Sequence, residues 1–282
     1  MIDFQYLSAM KYKLKVALVL FVLCICFTGC SESFLESTDQ ETVIENNPQL
    51  DVEEARRAFA LLPFETGEND FELPVLYNQK WIFRFIIPET TNDELLPLFL
   101  DLHGGARTPR NTIHQWINCS LRGAWGDTRA YILSPNSQGL LWYDEFNETQ
   151  VVNLVKFAIE NFNIDPNKVV VTGYSDGGNG SWFFADTHPE LFSAAIPLAS
   201  SYPLMTNEDG TLRKIDIPIY AIQGELETLF PYSNIESRVE QHRAAGSDII
   251  LVKAIGLDHN TFCSYTPYVE DALEWLETTV WD

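Results

Sequence analysis

The stretch that most constrains the fold of this chain is Gly173-Tyr174-Ser175-Asp176-Gly177. The β-branched residues 169–172 before it predict a strand, and residues 178–186 after it predict a helix. A glycine two residues before the serine and another two after it predict a tight turn, because a Cβ at either position would collide with the neighbouring strand or helix. Such a turn presents the hydroxyl of Ser175 at the edge of a sheet and predicts a nucleophile. The alternative is a glycine-rich turn without chemistry.

Strands and helices alternate along most of the chain. Apolar and β-branched runs predict strands, and apolar residues at helical spacing predict helices. The strands are predicted at residues 71–77, 81–87, 95–102, 130–134, 169–172, 192–199, 217–223 and 249–254, and the helices at 52–62, 148–162, 178–186, 233–245 and 268–278. This order predicts an α/β protein with a mostly parallel central sheet, helices on both faces and an antiparallel N-terminal edge.

The composition of the chain argues against some classes of binding partner. The chain has 282 residues, 18 Lys and Arg against 40 Asp and Glu, and a formal net charge of −22. Such a surface repels phosphate backbones, so we expect no nucleic-acid partner. The five histidines lack metal-ligand spacing, which predicts no metal site.

The N-terminal segment has the pattern of an export signal. Lys11, Lys13 and Lys15 precede the apolar residues 16–27. The closing Phe-Thr-Gly-Cys resembles the lipobox of bacterial lipoproteins and makes Cys30 a lipidation site; the alternative is a plain secretory signal with an unrelated cysteine. We expect a signal peptide at residues 1–29, a flexible acidic tether at 30–52 and a catalytic domain at 53–282. The protein would be lipid-anchored to a membrane of the bacterial cell envelope and face the periplasm or the exterior.

A serine nucleophile needs a base, and the base needs an orienting carboxylate. Beyond His188, the histidines after Ser175 are His242 and His259. His242 lies within a predicted helix, where we expect a surface residue. His259 lies in the loop after the predicted strand 249–254, so we interpret it as the base, against the alternative of an ordinary loop histidine.

The acid is sought in the loop after residues 217–223. Spacing alone admits both Glu225 and Glu227, and both have the alternative of being solvated glutamates. Asp258 ranks lower, because its side chain and that of the adjacent His259 would rarely point the same way.

Backbone N–H groups must receive the oxyanion of a tetrahedral intermediate. One is expected from Asp176, the residue after the nucleophile, and the second from Gly104 or Gly105, which follow a buried central strand. We interpret His103 as a residue that holds this loop in place.

These motifs resemble a known group. His103-Gly104-Gly105, residues 173–178 and residues 224–231 are similar to those of α/β-hydrolase esterases of the polyhydroxybutyrate depolymerase, feruloyl esterase and dienelactone hydrolase type. The resemblance covers about residues 71–280 and implies the α/β-hydrolase fold and a carboxylic ester hydrolase without metal or cofactor. Aligning on Gly224 and Pro231 favours Glu227 as the acid. Two departures are Gln223, where these esterases have His, and Glu in place of Asp.

Two aromatic residues are candidates for the substrate pocket. Trp142 and Tyr143 could line the acyl or alcohol pocket, which would suit an aromatic or carbohydrate ester; the alternative is that they are core residues.

Two cysteines lie beyond the signal and Cys30. Cys119 follows the oxyanion loop and Cys263 follows His259, so a disulfide between them would join two catalytic loops.

The sequence therefore favours a membrane-tethered serine esterase that forms an acyl-enzyme with a Ser175-His259-Glu227 triad. Its substrate would be a small or polysaccharide-linked ester, with acetyl and aromatic esters of carbohydrates as examples. The sequence gives no indication for or against protein partners. The alternatives are a serine peptidase of the same fold and a non-catalytic ligand-binding lipoprotein.

Overall fold

A computed structural model describes residues 50–90, 94–105, 107–125 and 129–282, which belong to one compact unit of the chain. The predicted export signal, Cys30 and the tether up to residue 49 lie outside the described residues. Among the helices that are described, none has the length and apolar character needed to cross a membrane.

The centre of the protein is an eight-stranded sheet with strand order β1-β2-β4-β3-β5-β6-β7-β8. Pairing is antiparallel between β1 and β2 and between β2 and β4, and parallel across the rest of the sheet. The predicted fold class, with its antiparallel N-terminal edge, is confirmed. The strands are β1 (Gly67–Val75), β2 (Gln79–Ile87), β3 (Leu96–Leu102), β4 (Tyr131–Pro135), β5 (Ile164–Tyr174), β6 (Ala194–Leu198), β7 (Ile219–Gly224) and β8 (Ile249–Ala254).

Helices lie on both faces of this sheet. They are α1 (Val52–Ala60), α2 (Cys119–Trp125), α3 (Glu145–Asn161), α4 (Asp176–Thr187), α5 (Tyr232–Ala244) and α6 (Thr266–Trp275). Asp51 caps α1 in a capping box with Glu54, and both α1 and its cap follow directly on the described residue Leu50.

Two hydrophobic clusters form the core, one on each face. Alternate residues of a strand enter opposite clusters: Leu98 and Leu100 of β3 pack on the side of α1, α3, α4 and α5, whereas Phe99 packs on the side of α2 and α6. The central strands are apolar on both faces because helices cover both faces.

The edge hairpin turns through two residues with positive φ. Tyr77 has a φ of 64° and Asn78 a φ of 57°, between β1 and β2. Positive φ at both central positions matches the right-handed twist of a hairpin.

The parallel strands place four loops at one edge of the sheet. The carboxyl ends of β3, β5, β7 and β8 lead into the glycine pair Gly104-Gly105, Ser175, the Glu227 loop and the His259 loop, respectively. In open parallel sheets this edge is where ligands bind.

Candidate active site

Ser175 occupies a sharp turn between β5 and α4. Its φ is +60° and its ψ −119°, a backbone conformation that a non-glycine residue adopts only when the surroundings impose it. A Cβ on Gly177 would lie 1.7 Å from the carbonyl oxygen of Leu102 in β3, and one on Gly173 would lie 2.5 Å from the backbone of Gly177. Both glycines are therefore required by close backbone contact, as the sequence pattern predicts.

A chain of two hydrogen bonds connects Ser175 with His259 and Glu227. His259 Nε2 lies 2.9 Å from Ser175 Oγ, and His259 Nδ1 lies 2.9 Å from Glu227 Oε1. With the carboxylate accepting from Nδ1–H, Nε2 carries the lone pair and can accept the serine proton. The arrangement can therefore deprotonate Ser175 and hold the proton on the imidazole.

The two other candidate acids point elsewhere. The exposed Glu225 accepts a hydrogen bond from the backbone N–H of Gly256, 3.0 Å away. The carboxylate of Asp258 accepts from the backbone N–H of Asn260. Of the three carboxylates that the sequence left open, Glu227 is the one that contacts His259.

The loop that carries Glu227 is held in place by Gln223, which is buried at the end of β7. Its side-chain oxygen accepts from the backbone N–H of Ser200, and its side-chain nitrogen donates to the carbonyl oxygen of Phe230. Gln223 thereby joins β6 to both ends of the acid loop, and the Glu227 side chain is fully buried between them.

The backbone donors expected for an oxyanion lie beside Ser175. A Cβ on Gly104 would lie 3.3 Å from the Cβ of Ser175, and Gly105 has a φ of +94°. No hydrogen bond to another described residue engages the backbone N–H of Gly104 or of Asp176. These donors are therefore free to bind a ligand oxygen.

His103 holds the glycine loop, as expected from the sequence. Its Nδ1–H donates to the carbonyl oxygen of Gly104 at 2.8 Å, and its Nε2 accepts from the backbone N–H of Ser137 at 3.0 Å. Burial lowers the pKa of His103 to about 4. The ring is therefore neutral in the pH range where esters are normally assayed, and its two hydrogen bonds hold the glycine loop in a fixed position.

Asp176 adds a buried carboxyl next to the nucleophile. Burial, together with the nearby charge of Asp144, raises its pKa to about 6, and the charge of Arg107 opposes this shift.

A cavity of about 530 Å³ opens beside Ser175 and is called here the nucleophile cleft. Its aromatic walls are Trp116, Tyr174 and Phe262, and the side chains of Trp116 and Phe262 are 76% and 48% exposed. Gly104 also lines the nucleophile cleft, so the cleft extends to the glycine loop beside Ser175.

A disulfide closes one side of the nucleophile cleft. Cys119, the first residue of α2, is bonded to Cys263, with their Cα atoms 5.1 Å apart. It joins the segment after the glycine loop to the segment after His259, as expected from the positions of the two cysteines in the sequence.

Trp142 does not line the cleft, which corrects the sequence-based prediction. Its side chain is fully buried, packs against Gly180 and donates Nε1–H to the carbonyl oxygen of His103 at 3.0 Å. Tyr143 is 48% exposed and contacts the ring of Phe183, outside the cleft lining. His242, expected at the surface, is buried against Trp182.

Sequence reasoning also missed Asp101, a buried carboxyl on β3. Its Oδ2 accepts from the backbone N–H of Asn118 at 3.1 Å, immediately before α2, and burial raises its pKa to about 7. The sequence feature that could have indicated Asp101 is a single aspartate within an otherwise apolar predicted strand. Asp101 anchors the segment that carries Trp116 and Cys119.

Across the residues that the structure describes, no group of three or more His, Cys, Asp or Glu side chains is placed to hold a metal ion.

Comparison with known proteins relates part of the chain to hydrolases. Residues 143–252 match the prolyl oligopeptidase family, peptidase S9. The match includes Ser175 and Glu227 and ends before His259.

Curated relatives align over short stretches. An acetylxylan esterase of Coprinopsis cinerea is 44% identical over 55 residues, which are 20% of this chain and 15% of that protein. A probable acetylxylan esterase A of Aspergillus terreus is 37% identical over 71 residues, 23% of each chain. The aligned stretches thus span less than a quarter of either relative.

Among solved structures, a thermostable esterase superposes with a TM-score of 0.60 at 23% identity, over 74% of this chain and 62% of that one. At this identity the likeness establishes the α/β-hydrolase fold.

Proposed function

We propose that the protein is a carboxylic ester hydrolase that works through an acyl-enzyme on Ser175. The observation that carries the proposal is the continuous hydrogen-bonded chain from Ser175 Oγ through His259 to Glu227. This hydrogen-bonded chain lies at the sheet edge where the strained turn presents Ser175. The aligned stretches of two proteins named as acetylxylan esterases agree with the proposal.

In the proposed acylation step, Ser175 Oγ attacks the ester carbonyl carbon while its proton moves to His259 Nε2. The tetrahedral oxyanion then accepts hydrogen bonds from the backbone N–H of Asp176 and of Gly104 or Gly105. Collapse of the intermediate breaks the bond to the alcohol oxygen, which takes the proton from His259. A water molecule repeats the sequence on the acyl-enzyme, releasing the acid and restoring Ser175.

Glu227 has a positioning role in this scheme. Its buried carboxylate holds the Nδ1 proton of His259 and stabilises the imidazolium that forms in each half-reaction. A glutamate side chain is one methylene longer than an aspartate side chain. The position of the loop that Gln223 anchors therefore determines whether the Glu227 carboxylate meets His259.

We propose a carbohydrate acetyl ester as the substrate class. Exposed aromatic faces such as Trp116 and Phe262 suit the apolar faces of sugar rings, and they stand beside the free oxyanion donors. The names of the aligned relatives point to acetylated xylan, which is the polymer to assay first.

A fluorophosphonate probe tests the serine directly, because only an activated serine reacts with it. We expect an adduct on the peptide that contains Ser175 and none on Ser175→Ala. Ser237→Ala, which changes an exposed serine on α5, is the matched control and should label like the parent. An unlabelled parent protein that is folded would reject the proposal.

A serine peptidase is the second candidate, favoured by the match to the prolyl oligopeptidase family. Acyl transfer from an amide uses the same residues but must protonate a poorer leaving group. Paired acetyl ester and anilide substrates distinguish the two activities: a higher kcat/KM for the ester supports an esterase, and the reverse supports a peptidase.

We further propose that Cys30 carries a lipid that holds the enzyme at the cell envelope. The support is the basic, apolar and Gly-Cys order of residues 11–30. Metabolic labelling with a palmitate analogue in a bacterial host should mark the parent chain and not Cys30→Ser. Equal labelling of both would reject this anchor.

A further inference from the structure

The lining of the nucleophile cleft has an unusual charge for this protein. Although the chain carries 40 Asp and Glu against 18 Lys and Arg, the cleft lining contains one arginine, Arg110, and no acidic residue. Its other members are apolar, aromatic or neutral polar side chains. Arg110 is therefore the formally charged side chain of this lining.

Arg110 has no counter-ion within the described part of the chain. Most of the other described cations are engaged, as in the pairs Arg84–Asp70 and Arg129–Glu94, and Lys253 lies over the ring of Tyr232. The described cations without an ion pair, a side-chain hydrogen bond or a cation–π contact to a described residue are Arg57, Arg107, Arg110 and Lys156. Arg107 acts on the charge of Asp176, which leaves Arg110 as the unpaired cation of the cleft.

The surroundings of Arg110 favour a carboxylate ligand. Arg110 is exposed, and its guanidinium offers paired N–H donors whose geometry matches a carboxylate. Elsewhere the net charge of −22 repels anions.

We propose that Arg110 binds a carboxylate on the alcohol part of the substrate, so that the enzyme prefers acetyl esters of acidic sugars, such as uronic-acid-containing oligosaccharides, over neutral ones. This inference rests on the proposed ester hydrolysis. The anionic group occupies the Arg110 end of the cleft while the acetyl carbonyl lies at the backbone donors beside Ser175.

Two aryl acetates of similar shape test the preference. The anionic 4-acetoxybenzoate and the neutral 4-acetoxybenzamide are hydrolysed by the full-length chain, by Arg110→Gln and by Arg57→Gln. We expect the ratio of kcat/KM, anionic over neutral, to fall about tenfold in Arg110→Gln and to stay unchanged in Arg57→Gln, which removes an unpaired cation on α1. In about 0.5 M NaCl the ratio of the parent should also fall. Equal ratios in the parent and Arg110→Gln would overturn the inference.

Binding separates this inference from the ester hydrolysis on which it rests. In Ser175→Ala, calorimetry compares the products 4-hydroxybenzoate and 4-hydroxybenzamide. We expect the anion to bind about tenfold more tightly and the difference to disappear in Ser175→Ala/Arg110→Gln. An Arg110-dependent preference without hydrolysis in the parent would reject the proposed function alone. Hydrolysis without any such preference would reject the role of Arg110 alone.

Discussion

Glu227 Oε1 lies 2.9 Å from His259 Nδ1, while Glu225, two residues earlier, bonds to the backbone of Gly256 in the loop before His259. The side chain of Glu227 is fully buried and Glu225 is exposed. One short loop thus carries two glutamates of which one contacts the imidazole.

This difference predicts the outcome of a matched pair of substitutions. Glu227→Gln should lower kcat about 10²–10⁴-fold, because an amide cannot stabilise the imidazolium and can present its NH₂ to Nδ1. Glu225→Gln should stay within about threefold of the parent, since its oxygen can still accept from Gly256. Both are measured as kcat on an aryl acetate. A large loss in Glu225→Gln with an active Glu227→Gln would reverse the assignment.

Gln223 should matter through the position of Glu227. Gln223→Leu keeps the side-chain volume but removes the hydrogen bonds to Ser200 and Phe230. Each buried backbone group that is left unpaired costs about 1–3 kcal/mol of stability. We expect kcat to fall about tenfold with little change in KM, because the acid loop shifts while the cleft is intact. Gln241→Leu, on the exposed surface of α5, is the control. A Gln223→Leu enzyme with unchanged kcat would show that other contacts position the loop.

The buried carboxyl of Asp101 predicts a pH dependence of stability. Burial raises its pKa from 3.8 to about 7, so the folded state binds the proton more tightly than the unfolded state. Its contribution to the free energy of unfolding therefore falls as the pH rises from about 4 to about 7 and is constant outside that window. The side chain of Asp101→Asn can still accept from Asn118. As the pH rises from about 4 to about 8, the free energy of unfolding of this variant should increase by roughly 2–4 kcal/mol relative to that of the parent.

Urea unfolding of the parent and Asp101→Asn across that range measures this effect. Asp216→Asn removes an exposed charge and reports how much of any change comes from the lower net charge alone. A difference between the parent and Asp101→Asn that does not vary with pH would contradict the shifted pKa.

The Cys119–Cys263 disulfide should stabilise the fold and shape the cleft. It links residues 144 apart in sequence, a loop for which the chain-entropy relation predicts up to about 5 kcal/mol. Cys119→Ser/Cys263→Ser should therefore lower the melting temperature. KM should rise more than kcat falls, because both cysteines line the cleft but neither touches the triad.

Calorimetry and steady-state kinetics provide these measurements, with reductant-treated parent as a second route to the same state. Two free thiols in the denatured parent without reductant would exclude the bond.

The chain itself contained enough to predict the alternation of strands and helices, the mostly parallel sheet and the turn at Ser175. Apolar runs alternate with helical spacing, and two glycines two residues from a serine leave few backbone solutions. The role of His259 could be predicted for a related reason. A loop that follows a late parallel strand lies at the same sheet edge as the turn at Ser175. These inferences depend on local patterns and on the rule that parallel strands share their carboxyl ends.

Tertiary structure alone decided which side chains meet. Spacing left Glu225, Glu227 and Asp258 open, and the choice depends on how the loop between β7 and α5 packs under His259. Trp142 and Trp116 both lie outside the predicted strands and helices, yet Trp142 is buried against Gly180 and Trp116 is exposed in the cleft. Burial and side-chain direction result from contacts between residues distant in sequence, and a local pattern carries no information about those contacts.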